Sequence, residues 1–307
     1  MIVLVTGAGG FVGRHVVRKL RAAGHSVTGL DSFADGIPNG ARPIVGDLGD
    51  AALRSEALAG GCDALVHLAT VPGGAAEADP AASRRINVDA MYDLLEELAQ
   101  VSPGARVVYA SSIAVYGDPL PPEGVDDATP LSPRMTYGGH KAMMEVAVAM
   151  LSNRGVIDGV SIRLPGILAR PRGASGMKSA FMSDLFHALR AGEPFTCPVS
   201  PQATIWAQSV DCCADNFIHA LALDSALLPA TRAVTLPARR VAMKDLAEEV
   251  ARQCGTHASL VDYLPDPALE ATFGTHPGLK TLAAHRAGFA DDGSVARLVE
   301  SALKTLE

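Results

Sequence analysis

The sequence predicts an α/β fold in which helices cover both faces of a mostly parallel sheet. Two patterns carry this prediction. Short β-branched runs alternate with longer segments of helical spacing through the first half of the chain, and a glycine-rich turn follows the first run. The composition agrees, since 48% of the 307 residues are hydrophobic and only 19% are charged. Such a balance suits a large core around a buried sheet.

Six short runs rich in β-branched residues predict strands, at 2–5, 27–30, 43–45, 64–68, 106–109 and 160–164. Between the first two runs, Val12, Val16 and Leu20 recur at helical spacing, and Gly24 ends the helix. A second long helix is predicted over 81–101. Strands that alternate with helices of this length form βαβ units, whose strands are parallel.

After Gly155 the pattern loosens because prolines interrupt it, and helical segments return at 180–191, 209–223, 243–254 and 292–306. We therefore predict a sheet domain over 1–165 and a smaller, irregular part over 166–307 that binds the substrate. The helix at 209–223 has an apolar face that suits packing on the sheet domain.

Charge and cysteine content narrow the functional classes. The chain carries 26 Lys and Arg against 33 Asp and Glu, a net charge of −7, so it lacks the basic field of a general nucleic-acid binder. Its five cysteines include no C-x-x-C pair, which disfavours a disulfide framework and a zinc site, and we predict no metal. With no apolar run of about 18 residues and no targeting segment, we expect a soluble, cytoplasmic protein without membrane partners.

The turn after the first strand has the spacing of a dinucleotide-binding site. Gly7 permits the tight turn, Gly10 lets the backbone approach a pyrophosphate, and Gly13 allows the helix to pack close to the sheet. Phe11 and Val12 open that helix beside the bound group. Glycines alone are weak evidence, but this strand–turn–helix context favours a Rossmann-type doubly wound parallel sheet.

Residues at the ends of later strands predict the rest of the cofactor site. Asp31 ends the second strand, where a carboxylate accepts the adenosine ribose hydroxyls and repels a 2′-phosphate, so NAD is favoured over NADP. Asp47 and Leu48 follow the third strand and are placed for the adenine. Leu68 and Ala69 follow the fourth, where small residues admit the pyrophosphate. His67, inside that strand, is interpreted as structural.

A second group of residues predicts proton-transfer chemistry. Tyr137 and Lys141 lie four residues apart on a predicted helix and so share one face. We expect the ammonium to lower the pKa of the phenol, making it a base for an alcohol proton. Ser112, at the end of the fifth strand, is placed to hold the same substrate oxygen. Together with the glycine turn, these residues predict a dehydrogenase site.

This set of motifs resembles the extended short-chain dehydrogenase/reductase family, which includes nucleotide-sugar epimerases, dehydratases and sugar-acid dehydrogenases. The resemblance implies that Tyr137 is the catalytic base, that Lys141 anchors the nicotinamide ribose, and that Ser112 orients the substrate. It also implies a homodimer formed through the Tyr137 helix and the helix at 81–101. Further cofactor contacts implied by the resemblance are Asn87, Leu164 and Pro165.

The chain departs from the epimerases after the sixth strand. Where they carry an asparagine that contacts the nucleotide diphosphate, this sequence has Gly166. Its C-terminal half is similar to the D-erythronate dehydrogenase subgroup, sharing Arg170, Pro171, the 197–199 stretch and Trp206. It differs from that subgroup at Gly73, where a serine is usual.

We therefore expect oxidation of a secondary hydroxyl of a small sugar acid by hydride transfer to NAD. A guanidinium from Arg170 or Arg172 would bind the carboxylate. Gly73 and Trp206 are placed at the substrate pocket, although a lone tryptophan is more often a core residue. Two alternatives remain at this point: an epimerase or dehydratase with tightly bound NAD, and a catalytically silent NAD-sensing protein.

Overall fold

The computed structural model describes residues 1–117, 119–172 and 178–306. A seven-stranded sheet lies at its centre, with every neighbouring pair of strands parallel and the strands in the order β3-β2-β1-β4-β5-β6-β10. Its strands are β1 (Ile2–Thr6), β2 (Ser26–Asp31), β3 (Arg42–Val45), β4 (Ala64–His67), β5 (Arg106–Ser112), β6 (Asp158–Leu164) and β10 (Ala233–Thr235). The predicted doubly wound parallel sheet is confirmed.

The strand order reverses between β1 and β4. The chain runs outward from β1 through β2 to β3, then crosses back to β4 and continues on the other side. At such a point two neighbouring connections leave the sheet in opposite directions and open a crevice at the carboxyl ends of the strands. The turn after β1 and the segment after β4 therefore face each other across this crevice.

Helices cover both faces of the sheet because the strand residues alternate between two cores. On one face, Val3 and Val5 of β1 pack with α1 (Phe11–Ala22) and α8 (Val210–Ala222). On the other, Leu4 packs with α2 (Ala51–Leu58), α5 (Met91–Val101) and α6 (Thr136–Asn153). This alternation is the two-residue period of a strand with both faces buried.

The helix predicted over 81–101 is interrupted. Its first part is α4 (Pro80–Arg84), which follows α3 (Gly73–Ala78), and its second part is α5. Between them, Arg85–Ala90 forms a turn of π-helix. A π turn widens the helix by one residue and often occurs at functional sites. Here it contains Asn87, whose side chain bonds to the segment after β4.

The C-terminal part adds two small sheets and a third core. One sheet has the order β11-β9-β7 and the other β12-β8, and the core packs beneath α7, α9 and α12. The elements are β7 (Gly166–Ile167), α7 (Phe181–Ala191), β8 (Phe195–Cys197), β9 (Thr204–Gln208), β11 (Arg239–Ala242), α9 (Met243–Cys254), β12 (Val261–Tyr263), α10 (Pro267–Phe273), α11 (Leu282–Arg286) and α12 (Val295–Lys304).

Two elements that follow residue 165 in the chain pack with the seven-stranded sheet or its helices. Beyond that position, α8 packs against α1, and β10 adds the seventh strand to the sheet beside β6. Sequence did not predict β10, because a strand of three residues is too short to show a periodic pattern. Within the described parts of the chain, no helix combines the length and apolar character needed to cross a membrane.

Candidate active site

A cavity of about 930 Å³ lies at the carboxyl ends of the strands, over the point where the strand order reverses. One end is lined by the glycine turn, Asp31 and Asp47, the middle by Ser112 and Tyr137, and the other end by residues from the C-terminal part. Its volume is at the upper end of the range for ligand sites. The cavity therefore has room for a dinucleotide and a small substrate together.

The glycine turn is packed so closely that side chains are excluded from it. A β-carbon on Gly13 would lie 2.0 Å from the Gly7 carbonyl oxygen, and one on Gly7 would lie 2.7 Å from the Ala69 nitrogen. A β-carbon on Gly10 would contact only the Gly7 carbonyl oxygen, at 3.1 Å. The rest of its surroundings is open space. Gly10 also precedes α1 without a side-chain cap, so the free N–H groups suit an anion such as pyrophosphate.

The adenosine end of the cavity is organised by two carboxylates. Asp31 accepts hydrogen bonds from the Gly9 nitrogen at 2.9 Å and the Phe33 nitrogen at 3.2 Å, which hold it at the cavity wall. Asp47 accepts from Arg85 at 2.6 Å, and that bond lowers the pKa of the Asp47 carboxyl. These features fit the predicted NAD site, in which the carboxylates would face the ribose and adenine and the N–H groups would face the phosphates.

Ser112, Tyr137 and Lys141 come together in the middle of the cavity. Ser112 ends β5, while Tyr137 and Lys141 share one face of the first turns of α6. The Ser112 hydroxyl also accepts a hydrogen bond from the Ala114 nitrogen at 3.2 Å, which fixes its orientation. It is hydrogen-bonded to the Tyr137 hydroxyl. The two hydroxyls are therefore placed to share one substrate oxygen.

Lys141 is held beneath the tyrosine. Its side chain is only 2% exposed, and Nζ donates a hydrogen bond to the Ala110 carbonyl at 2.7 Å. The same nitrogen lies 5.5 Å from the centre of the Tyr137 ring. Burial lowers the pKa of Lys141 from 10.5 to about 7, although the negative charge of Glu145 acts to raise it. A group that exchanges its proton near neutrality is suited to proton transfer.

The expected lowering of the Tyr137 pKa is not found. Burial raises the pKa of Tyr137, while the hydrogen bond with Ser112 and the charge of Arg170 act in the opposite direction. Lys141 does not lower it because its ammonium donates to the Ala110 carbonyl and its own pKa is depressed. The tyrosine and the lysine are thus both shifted towards their neutral forms.

A buried ion pair lies behind Lys141. Glu145, one turn further along α6, is 3% exposed and bonds to Arg163 of β6, with Nη2 and Oε2 at 2.7 Å. Arg163 also donates to the Tyr116 hydroxyl at 2.8 Å, and Ser111 donates to Glu145. Because Glu145 is neutralised by Arg163, it supports the Lys141 charge only weakly.

Most residues predicted for the site line the cavity. These include Gly7, Gly10, Phe11, Val12, Gly13, Asp31, Asp47, Leu48, Leu68, Ala69, Gly73, Ser112, Tyr137, Lys141, Leu164, Pro165, Arg170 and Trp206. Arg172 does not; it lies near Glu193 at the surface, with Nη2 and Oε2 at 3.8 Å.

Asn87, which was predicted to contact the cofactor, lies behind the wall of the cavity and does not line it. Its carboxamide accepts from the Val71 nitrogen at 2.7 Å and donates to the Val71 carbonyl and the Ser83 hydroxyl. Asn87 therefore holds the segment after β4, which itself lines the cavity. His67, interpreted as structural, is buried with Nδ1 at 2.9 Å from the Thr6 hydroxyl, and burial lowers its pKa to about 3.

Several lining residues were not predicted. Arg85, which holds Asp47, lies in the π turn, and Phe273 and His276 come from the segment at and after the end of α10. None belongs to a motif, and the last two are more than a hundred positions from Tyr137 in the chain. Only the fold brings them to the cavity.

Comparison with known proteins agrees with this geometry. The profile of the NAD dependent epimerase/dehydratase family matches residues 3–208. The D-erythronate dehydrogenase of Cupriavidus necator is 33% identical over 318 residues, covering 98% of this chain and 97% of that protein. The D-erythronate dehydrogenase of Haemophilus influenzae is 31% identical over 262 residues, covering 83% of each.

A solved structure is similar over nearly the whole chain. The crystal structure of the nucleoside-diphosphate-sugar epimerase from Agrobacterium tumefaciens superposes with a TM-score of 0.89 at 26% identity, covering 99% of this chain and 94% of that one. Together these matches confirm the resemblance that the motifs predicted.

The buried lysine makes stability depend on pH. The pKa of Lys141 is about 7 in the folded protein and 10.5 in the unfolded chain. The unfolded state therefore binds more protons between these values, and the folded state loses stability as the pH falls from about 10 to about 7. We expect the stability advantage of Lys141→Met over the wild type to grow as the pH falls from about 10 to about 7.

Thermal unfolding of both proteins at a series of pH values, without added cofactor, measures this difference. Lys244→Met is the control, because Lys244 is 62% exposed in its side chain and should show a difference that is constant with pH. A constant difference for Lys141→Met as well would contradict the assignment.

Proposed function

The chain belongs to the NAD-dependent epimerase/dehydratase family and is an NAD-dependent dehydrogenase of the short-chain type, and we propose that it oxidises a secondary hydroxyl of a small sugar acid similar to D-erythronate. The observation that carries this proposal is the grouping of Ser112, Tyr137 and Lys141 at the middle of the cavity, with Arg170 on the same wall. The two similar D-erythronate dehydrogenases support the substrate class.

The proposed mechanism assigns one task to each side chain. Ser112 donates a hydrogen bond to the substrate oxygen and holds the hydroxyl beside Tyr137. Tyr137 acts in its phenolate form, which the Lys141 ammonium stabilises, and it becomes the neutral phenol when it accepts the hydroxyl proton. When bound, NAD supplies the acceptor for the hydride that leaves the substrate carbon. The glycine turn and the N-terminus of α1 hold its pyrophosphate, and Asp31 binds its adenosine ribose.

Gly166 favours an acid substrate over a nucleotide sugar. The family resemblance places a diphosphate-binding asparagine at this position in epimerases. Here a β-carbon on Gly166 would lie 3.0 Å from the Trp206 carbonyl oxygen, a tight contact at the point where β7 pairs with β9. The glycine at this position offers no side chain that could contact a nucleotide diphosphate.

Removal of the Tyr137 hydroxyl tests the catalytic role. We expect Tyr137→Phe to reduce the rate of NADH formation with D-erythronate by about 10²- to 10⁴-fold, because the proton acceptor is lost. NAD binding should be retained. In the wild type, activity should rise as the pH increases above neutrality, since burial raises the pKa of Tyr137.

NADH absorbance with a panel of aldonates measures both effects, and Tyr92→Phe, on α5, is a control for loss of a tyrosine elsewhere. Full activity of Tyr137→Phe would refute the assignment. UDP-sugar turnover by the wild type without net NADH formation would instead support an epimerase. NAD binding with no turnover of any alcohol would support a silent sensor.

Arg170 is proposed to bind the substrate carboxylate. Its Nε donates to the Ile167 carbonyl at 3.2 Å, and its guanidinium carbon lies 5.6 Å from the centre of the Phe11 ring. From this position its charge acts on Tyr137, lowering the pKa of that phenol. The guanidinium is therefore near both the reacting hydroxyl and the glycine turn.

We expect Arg170→Met to raise the KM for D-erythronate by about 10- to 100-fold, the loss of a charge-assisted hydrogen bond. The Kd for NAD should change little. Arg172→Met is the matched control, since Arg172 lies outside the cavity. Steady-state kinetics and calorimetric titration with NAD separate the two effects. A weaker NAD complex with an unchanged KM would assign Arg170 to the pyrophosphate instead.

We also propose that the protein is a homodimer formed through α6 and α5. Along α6, Met143 is 54% exposed and Val146 is 66% exposed, although both are apolar. An exposed apolar face on the helix that carries Tyr137 is suited to burial against a second copy.

Light scattering at micromolar concentration should therefore give the mass of a dimer, and Val146→Glu should shift it towards the monomer because a buried charge destabilises the contact. Leu264→Glu, at an apolar residue that is 73% exposed elsewhere on the surface, is the control and should remain dimeric. A monomeric wild type would exclude this proposal.

A further inference from the structure

A chain of hydrogen bonds joins the catalytic helix to the wall of the cavity. It begins at His140, which lies on α6 between Tyr137 and Lys141. The imidazole of His140 contacts α4, where Nδ1 is 2.9 Å from the Ser83 hydroxyl. Ser83 is fully buried, and its hydroxyl accepts from Nδ2 of Asn87 at 3.1 Å. The chain therefore connects α6, α4 and the π turn.

At its other end the chain holds two residues that line the cavity. The Asn87 carboxamide oxygen accepts from the Val71 nitrogen at 2.7 Å and from the Thr70 hydroxyl at 3.1 Å. Its Nδ2 also donates to the Val71 carbonyl at 3.0 Å. Thr70 and Val71 line the cavity directly after Ala69, whose nitrogen lies against Gly7 of the glycine turn. A shift of these two residues would change the shape of the cofactor site.

The direction of each bond in the chain follows from the groups at its ends. A main-chain N–H can only donate and a carbonyl can only accept, so the two Val71 bonds fix the orientation of the Asn87 amide. Its Nδ2 donates to Ser83, which leaves the hydroxyl hydrogen for Nδ1 of His140. If Nδ1 carried a hydrogen, the fully buried hydroxyl would lack an acceptor among the described residues, which is rare in folded proteins. Nδ1 is therefore the acceptor, and the neutral ring carries its hydrogen on Nε2.

The surroundings of His140 favour this neutral form. Burial lowers its pKa from 6.5. Of the charges on the elements packed against it, Asp89 of the π turn and Glu77 of α3 act to raise the pKa, and Arg84 of α4 acts to lower it. Protonation at low pH would place a hydrogen on Nδ1, and the Ser83 hydroxyl would then lose its acceptor.

We propose that His140 is a positioning residue for the cofactor: as the acceptor for Ser83, it holds Thr70 and Val71 in place through Asn87. His140 does not itself line the cavity, so it acts only through this chain. Because α6 also carries Tyr137, the chain sets the distance between that side chain and the cofactor wall. The inference concerns NAD and does not depend on which alcohol is oxidised.

Calorimetric titration with NAD tests the chain in a matched set of variants. His140→Asn keeps an acceptor, because its carboxamide oxygen reaches about the position of Nδ1. His140→Leu has a similar size and no acceptor. Ser83→Ala removes the middle of the chain. His257→Leu is the control, since His257 is exposed in the C-terminal part.

Above neutral pH we expect His140→Leu to raise the Kd for NAD by about 10-fold, the effect of one lost hydrogen bond. His140→Asn should restore most of the affinity. Ser83→Ala should match His140→Leu, and the double variant should bind no more weakly than either, because both changes break the same chain. His257→Leu should bind NAD as the wild type does.

A pH series gives a readout that a merely structural role would not change. The affinity of the wild type for NAD should fall as the pH decreases through the pKa of His140, which lies below 6.5, because the neutral ring is the form that accepts from Ser83. His140→Asn has no titrating group at this position and should lose no affinity through that step. The difference between the two proteins isolates His140 from all other titrating groups.

Equal Kd values for His140→Asn and His140→Leu, additive losses in the double variant, or the same pH dependence in the wild type and His140→Asn would overturn the role of His140. If His140→Leu does not fold, Ser83→Ala and the pH comparison decide the question. Failure of the wild type to oxidise any sugar acid would overturn the proposed function alone, because the titration with NAD needs no substrate.

Discussion

The Gly7 carbonyl oxygen lies so close to Gly13 that a β-carbon on Gly13 would be only 2.0 Å from it. Much of the cavity depends on this close approach. It draws the first turn of α1 onto the end of β1, so that free helix N–H groups point across the crevice where the strand order reverses. On the opposite side, the segment after β4 reaches the same turn, where Gly7 approaches the Ala69 nitrogen. The phosphate end of the site is thus made of backbone, and its shape tolerates few side chains.

The reacting end is built differently, from buried charges that compensate one another. Lys141 is removed from water, and Glu145, whose charge raises the Lys141 pKa, is paired with Arg163. A lysine whose neighbouring carboxylate were unpaired would remain firmly protonated. The ion pair also joins α6 to β6, since Glu145 and Arg163 belong to those two elements. The same pair therefore fixes the catalytic helix on the sheet and helps to leave Lys141 able to exchange its proton.

The end of the cavity away from the glycine turn is lined by segments that follow the sheet domain. Arg170 follows β7, Trp206 lies in β9, and His276 follows α10. Their positions depend on the pairing of β7 with β9 and on the bonds between Thr204 and His276.

The sequence by itself determined the parallel sheet, the glycine turn, NAD as the cofactor, and the grouping of Ser112, Tyr137 and Lys141. These features are local, because each depends on a strand end or on spacing within one helix. Only the tertiary structure decided that Asn87 lies behind the cavity wall, that burial raises the Tyr137 pKa, and that Phe273 and His276 line the cavity. Each of these depends on burial or on contacts between segments far apart in the chain. No local pattern encodes such contacts, since the energy of a buried group is set by its whole surroundings.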